Sequence, residues 1–188
     1  MRIFILAWLL LVLSACKKFD GGDIKIPEEK KPVWISDRDT IPDHASFILR
    51  LFLDSTANDE TAFIFNHTAS LVYNFDIDGS YFPGFGKVSL ASISSDGRDL
   101  AIYQLPYKRD LSVSLDVHSK KDGMLSLKIS KERNIPANVK IWVKDSYAND
   151  SLDLRTGAYS FRIMKADTNS SGCRRFRIVL TNGVGYQH

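Results

Sequence analysis

From about residue 45 onward, apolar and polar residues alternate with a period of two along most of this chain. The clearest case is VKIWVKD over 139–145, where Val139, Ile141 and Val143 share one side and Lys140, Trp142 and Lys144 the other. AYSFRI (158–163) repeats the pattern, and so does RRFRIVL (174–180), where Arg175, Arg177 and Val179 alternate with Phe176, Ile178 and Leu180. Successive side chains of a strand point to opposite faces, so this period predicts half-buried antiparallel strands. Further strands are predicted at 88–93, 99–105, 111–117 and 124–129. FILRLFL (47–53) is apolar at almost every position, which predicts a strand covered on both sides. A polar turn over 54–60 precedes a short apolar run at 62–65, and LVYNF (71–75) predicts another strand. The pairs Asp96-Gly97 and Asp122-Gly123 predict hairpins, because glycine takes the positive φ such turns need. With short strands at regular spacing and no 3.6-residue pattern, the expected fold is all-β. It is a single-domain antiparallel β-sandwich, immunoglobulin- or jelly-roll-like, over residues 45–188.

The first residues follow a different pattern. Arg2 and the apolar run IFILAWLLLVL (3–13) form a secretory signal too short to span a bilayer comfortably. It ends in Leu13-Ser14-Ala15-Cys16, which resembles the lipobox of bacterial lipoproteins. The resemblance implies cleavage of a signal peptide (1–15) and acylation of Cys16 on its thiol and new amino group, palmitate among the chains. More than one acyl chain gives stable anchoring. Residues 16–44 then read as the lipidated cysteine and a flexible tether, with Gly21-Gly22, the run Glu28-Glu29-Lys30-Lys31, and Pro27, Pro32 and Pro42. Lys17 in place of Asp favours the outer membrane, on its periplasmic side or at the cell surface. The second cysteine, Cys173, is left without a partner and reads as an incidental loop or strand-end residue, so no disulfide framework is expected.

Charge changes the picture little. With 25 basic and 22 acidic residues the net charge is +3, which offers no footprint for nucleic acid. The basic cluster Arg174, Arg175 and Arg177 is split over both faces of its strand and reads as solubilising edge charge. None of His44, His67, His118 and His188 stands in a metal-ligand spacing, and no metal or cofactor is expected. Asp76-Ile77-Asp78-Gly79-Ser80 resembles the start of a calcium loop, but Lys87 stands where an EF-hand needs glutamate, so an Asx-type turn is favoured. No GxSxG elbow or P-loop is present, and Asp54, Asp59 and Glu60 are expected in a solvated turn, so no catalytic residue is assigned. Among the aromatics, Phe75 and Phe161 are expected in the core. Tyr81, Phe82 and Phe85, in the loop YFPGF, and Trp142, between two lysines, are the candidate ligand contacts.

Several ordered segments resemble one family. They are Asp59-Glu60-Thr61 with Phe65, Phe75-Asp76 and Asp78; SISSDGRDLAI (92–102); and Asn134-Ile135-Pro136 with Val139, Trp142, Lys144 and Asp145. Tyr159-Ser160-Phe161 and RFRIVL (175–180) complete the series. Together they resemble the β-sandwich module of large proteins exported by the type IX secretion system, over residues 45–180. That module commonly precedes a C-terminal sorting signal in adhesins and secreted enzymes, and the resemblance implies a structural role without catalytic residues. The expected function is therefore a lipid-anchored cell-envelope binding or structural module, adhesin-like, with a glycan or envelope protein as partner. The alternative is a carbohydrate-binding lipoprotein of a polysaccharide uptake system; a small hydrolase is disfavoured for lack of a site.

Overall fold

In a computed structural model, which describes residues 41–108 and 110–182, all regular structure is strand apart from one 3-10 turn at Thr168–Ser170. The stretches expected to form a signal peptide and tether, including Cys16, fall ahead of residue 41 and, like His188, lie outside the described residues. The strands are β1 (Ser46–Phe52), β2 (Asn58–Phe65), β3 (Gly79–Ser80), β4 (Val88–Ile93), β5 (Asp99–Leu105) and β6 (Leu111–Ser119). They continue with β7 (Gly123–Arg133), β8 (Val139–Asp145), β9 (Asp150–Asp153), β10 (Tyr159–Ile163) and β11 (Phe176–Asn182). Hydrogen bonds link them in the order β10-β7-β1-β2-β5-β4-β6-β11-β8-β9, with β3 beside β5.

This path doubles back on itself as a sandwich. The Phe161 ring of β10 meets the Phe176 ring of β11 at 4.5 Å, although the two strands stand far apart along the path. The corner is β5. Its first residues pair antiparallel with β4, and its last four run parallel to β2, the one parallel pairing present among the described strands. A strand that changes partners in mid-course is how the two layers of a sandwich are joined at a corner. Thr61 fills the junction, fully buried, donating to the Leu100 carbonyl at 3.1 Å. The core draws on both layers: Phe47, Leu49, Leu51, Phe63 and Phe65 on one side, Leu90, Leu115, Ile141, Phe176 and Leu180 on the other. Ile41 is buried in the same core.

Several expectations change. β1 is not covered on both sides; Phe47, Leu49 and Leu51 point inward while Ile48, Arg50 and Phe52 lie on a half-covered face. There the Lys128 ammonium sits 4.6 Å from the Phe52 ring centre, and Arg50 pairs with Glu60. The turn after β1 is shorter than expected because Asp54 Oδ1 accepts the amides of Thr56 and Ala57, so β2 starts at Asn58. LVYNF is not a strand. Its polar backbone is satisfied by turns and side chains: the Leu71 carbonyl accepts Ser95 N and the Tyr103 hydroxyl, and Tyr73 N donates to Asp96. Asp96-Gly97 does close a hairpin, with Gly97 at φ 83°. Asp122-Gly123 does not, because β6 pairs with β4 and β11 whereas β7 pairs with β1 and β10. It crosses between layers.

β11 is no edge strand either; it lies between β6 and β8. Arg175, just before it, is buried at 4% exposure and not a solubilising charge. Phe161 is in the core, but Phe75 is 78% exposed, since its segment lies on the surface of β5 and does not enter a sheet.

The hairpin of β1 and β2 defines two ends of the molecule. The chain enters at one end, where His44 N and Ala45 O bond to Phe65. We call this the near pole. The far pole carries the β1–β2 turn and the β6–β7 crossing, held together by the Lys87–Asp54 pair and by Lys120 N donating to the Lys87 carbonyl.

Candidate functional site

Four of the sequence-derived contacts fall into two places. Tyr81, Phe82 and Phe85 belong to the loop between β3 and β4 that ends at the far pole, where Lys120 Nζ reaches the Phe85 carbonyl at 3.3 Å. Pro83 and Gly84 keep this stretch out of the sheet. Phe82 is 82% exposed and Phe85 104%, so neither ring rests on the domain. Tyr81 differs. Its hydroxyl donates to Asp59 Oδ2 at 2.7 Å, the same oxygen that accepts Leu90 N at 2.9 Å. Partial burial, and then the Asp59 carboxylate, push the Tyr81 hydroxyl well above the ordinary tyrosine range. Tyr81 is thus a clamp for the loop, not a projecting contact.

Upstream the loop is pinned just as firmly. Asp78, 9% exposed, accepts Asn74 N on one oxygen and Gln104 N on the other, both at 2.8 Å. Both carboxylate oxygens are taken by amides, and the Asx-type turn here belongs to Asn74, whose Oδ1 accepts Asp76 N at 3.0 Å. Among the described residues no group of three or more His, Cys, Asp or Glu is placed to hold a metal.

Beside β11, the far pole opens into a cleft of about 670 Å³ lined by His118, Tyr147, Lys165, Cys173, Arg174 and Arg175 among others. Its wall, built on Arg175, is the feature that sequence reasoning missed. The Arg175 guanidinium lies within 4.6–4.9 Å of the rings of Phe176, Tyr147 and Phe161. Its Nε bonds both Asp145 oxygens at 3.0 and 3.1 Å, and Nη2 bonds Oδ2 at 2.8 Å. Nη1 donates to the carbonyls of Arg162 and Ser170, and the Tyr159 hydroxyl donates to Asp145 at 3.1 Å. Burial by itself would raise the Asp145 carboxyl, but hydrogen bonds from Arg175 and from the amides of Ala148 and Tyr147 outweigh it, and the net shift is downward. With its donors turned inward, Arg175 builds the wall of the cleft. Cys173 is an exposed thiol on the rim, and His118 pairs with Asp116 at 2.9 Å.

Trp142 stands elsewhere, on the outer face of β8, with Lys140 and Lys144 exposed beside it. Its Nε1 donates to Thr181 Oγ1 at 3.2 Å, and Lys140 Nζ lies 5.6 Å from its ring centre. The structure therefore separates Trp142 from the Phe82–Phe85 loop, and they form two surfaces.

No protein-family model, no curated protein and no solved structure matches this chain.

Proposed function

We propose that this protein is a lipid-anchored module of the bacterial outer membrane that binds an envelope partner through its far pole, in the manner of an adhesin accessory domain and without catalysis. One observation carries the reading: Phe82 and Phe85 project 82% and 104% exposed from a loop clamped by Tyr81–Asp59, at the pole opposite the chain's entry. Large exposed apolar side chains are a liability in water unless something covers them. A clamped loop also loses little conformational freedom on binding, which favours affinity. Acyl chains on Cys16 would hold the protein to the membrane, and the near pole, where the tether joins the domain, would face it.

The likeness to the type IX module supports the structural part of this proposal. Several polar residues of those motifs, Asp59, Asp78, Asp145, Tyr159 and Arg175, are the ones that fasten loops to the sandwich here. They serve the scaffold, as a stalk-like module requires. The alternative, carbohydrate binding, is favoured by a different observation, the exposed lysines around Trp142.

The anchor and the binding surface are tested separately. Mass spectrometry of the mature N-terminus should find acylated Cys16, and Cys16→Ser should leave the membrane fraction; a Cys16→Ser protein still acylated and membrane-bound contradicts the anchor. Full-length Cys16→Ser protein should then co-sediment with envelope fragments of the producing bacterium, and Phe82→Ala/Phe85→Ala should reduce that binding about tenfold. Equal binding by both proteins contradicts the far-pole surface.

A further inference from the structure

The outer face of β6, β11 and β8 carries three cations around one tryptophan. Register places Arg177 directly opposite Lys144 on one side and Ser114 on the other. In the next outward row Val179 faces Trp142 and Ser112, and in the third Thr181 faces Lys140. Lys140, Lys144 and Arg177 are exposed, and none pairs with a carboxylate among the described residues. Along β8, Lys140 and Lys144 stand about 13 Å apart, with Trp142 midway.

The carboxylates of this layer do not neutralise the face. Asp153, opposite Trp142 on β9, is 8% exposed and its Oδ1 accepts the amides of Ile141 and Arg155. Asp116 lies beyond Ser114 at the far end of β6 and is engaged by His118. Lys144 and Arg177 thus confront one another as a like-charge cross-strand pair, an arrangement that disfavours the sheet and that an anion between them would relieve. Two independent features therefore point to the same kind of ligand. An unneutralised row of cations asks for a polyanion, and a partly exposed indole with the hydroxyls of Thr181 and Ser151 on the neighbouring strands, and those of Ser112 and Ser114 across β11, offers a platform for a sugar ring.

We infer that this face binds an acidic glycan chain, one bearing carboxylate or sulfate groups. The chain lies along the β8–β11 ribbon with a ring on Trp142 and its charges on Lys144, Arg177 and Lys140. The inference deepens the carbohydrate reading and does not depend on Phe82 or Phe85.

The test is affinity electrophoresis of the full-length protein in gels containing polygalacturonate, dextran sulfate or neutral dextran, with double-stranded DNA as a polyanion control. Retardation by at least one acidic glycan, weakened with rising salt and absent for neutral dextran, is expected. Lys144→Gln/Arg177→Gln and, separately, Trp142→Ala should each weaken it about tenfold. The double variant should melt no lower than wild type, since it removes a like-charge pair, so lost binding cannot be put down to lost folding. Phe82→Ala/Phe85→Ala should leave this binding unchanged, which distinguishes it from the far-pole reading. No retardation by either acidic glycan overturns the inference, and so does retardation untouched by these substitutions. Equal retardation by DNA, with no effect of Trp142→Ala, overturns the glycan assignment in favour of a general polyanion surface.

Discussion

Arg175 and Asp145 form a buried ion pair at the base of the far pole, with side-chain exposures of 3% and 0% and an Nη2–Oδ2 distance of 2.8 Å. Such a pair costs much to desolvate, and its net worth depends on every donor and acceptor being satisfied. Here they are: two backbone carbonyls, the Tyr159 hydroxyl and two turn amides complete it. The pair ties the β8–β9 turn to the stretch leading into β11 and so shapes the cleft wall. Arg175→Ala strands a buried carboxylate and should cost about 3–5 kcal/mol, seen as a lower midpoint in urea unfolding. A change under 1 kcal/mol would show that the pair is not buried in solution.

The same pair sets an acid limit. The Asp145 carboxyl is held below its unfolded value, so its contribution to stability is complete above that value, about pH 4, and is lost as pH falls through the lower folded one. Wild-type stability should therefore drop below about pH 4. Asp145→Asn, weaker at neutral pH, should show a flatter profile in that window when both are followed by circular dichroism.

Tyr81→Phe removes one hydrogen bond and leaves Asp59 with its amide partners Leu90 N and Glu60 N. The expected loss is about 1.5–3 kcal/mol, in keeping with a hydrogen bond to a charged group. Loosening of the loop should accompany it, as faster amide exchange over residues 82–87. The wild-type Tyr81 hydroxyl should stay protonated well past the pH at which exposed tyrosines ionise, and spectrophotometric titration reads this directly.

Phe85→Ala and Phe82→Ala should each change stability by no more than about 0.5 kcal/mol, because rings this exposed contribute little packing. A loss above 2 kcal/mol in thermal melts would mean that the rings are covered in solution.

The two Asp-Gly pairs differ in a testable way. Gly97 sits at φ 83° with open space around it, so Gly97→Ala should cost about 1 kcal/mol from backbone strain alone. Gly123 carries no positive φ, and an added Cβ would meet only the end of the Leu53 side chain at 3.1 Å, so Gly123→Ala should be milder. In sequence the two look alike, and thermal melts of the two variants should tell them apart.

That contrast marks where local patterning stops being informative. Short strand-like runs recover β4, β5 and β8 at their observed bounds because that signal is local; β8 buries one face in strict alternation, while β4 buries Leu90, Ala91 and Ser92 in succession and β5 switches its buried side. Strand partners are not local. Nothing in Lys120-Lys121-Asp122-Gly123 tells a hairpin from a crossing, and nothing in Asp99–Leu105 announces a strand that changes layers. β9, Asp-Ser-Leu-Asp, has too little alternation to be seen. The exposed Phe82 and Phe85 were legible from the neighbouring Pro83 and Gly84, whereas Phe75 was not, since LVYNF has a strand's composition while its backbone bonds go to turns. Arg175 was hidden for the opposite reason. A buried arginine reads like an exposed one until its partner, thirty positions upstream, is known.

The central claim is that the far pole meets a partner while the protein sits in its envelope. Photo-crosslinking residues placed in living cells at position 85, and at position 75 as another exposed aromatic position, ahead of β3, for a control, test this most directly. The account expects a discrete crosslinked species from position 85 after irradiation and none from position 75. No adduct from position 85, or the same adducts from both, would contradict it.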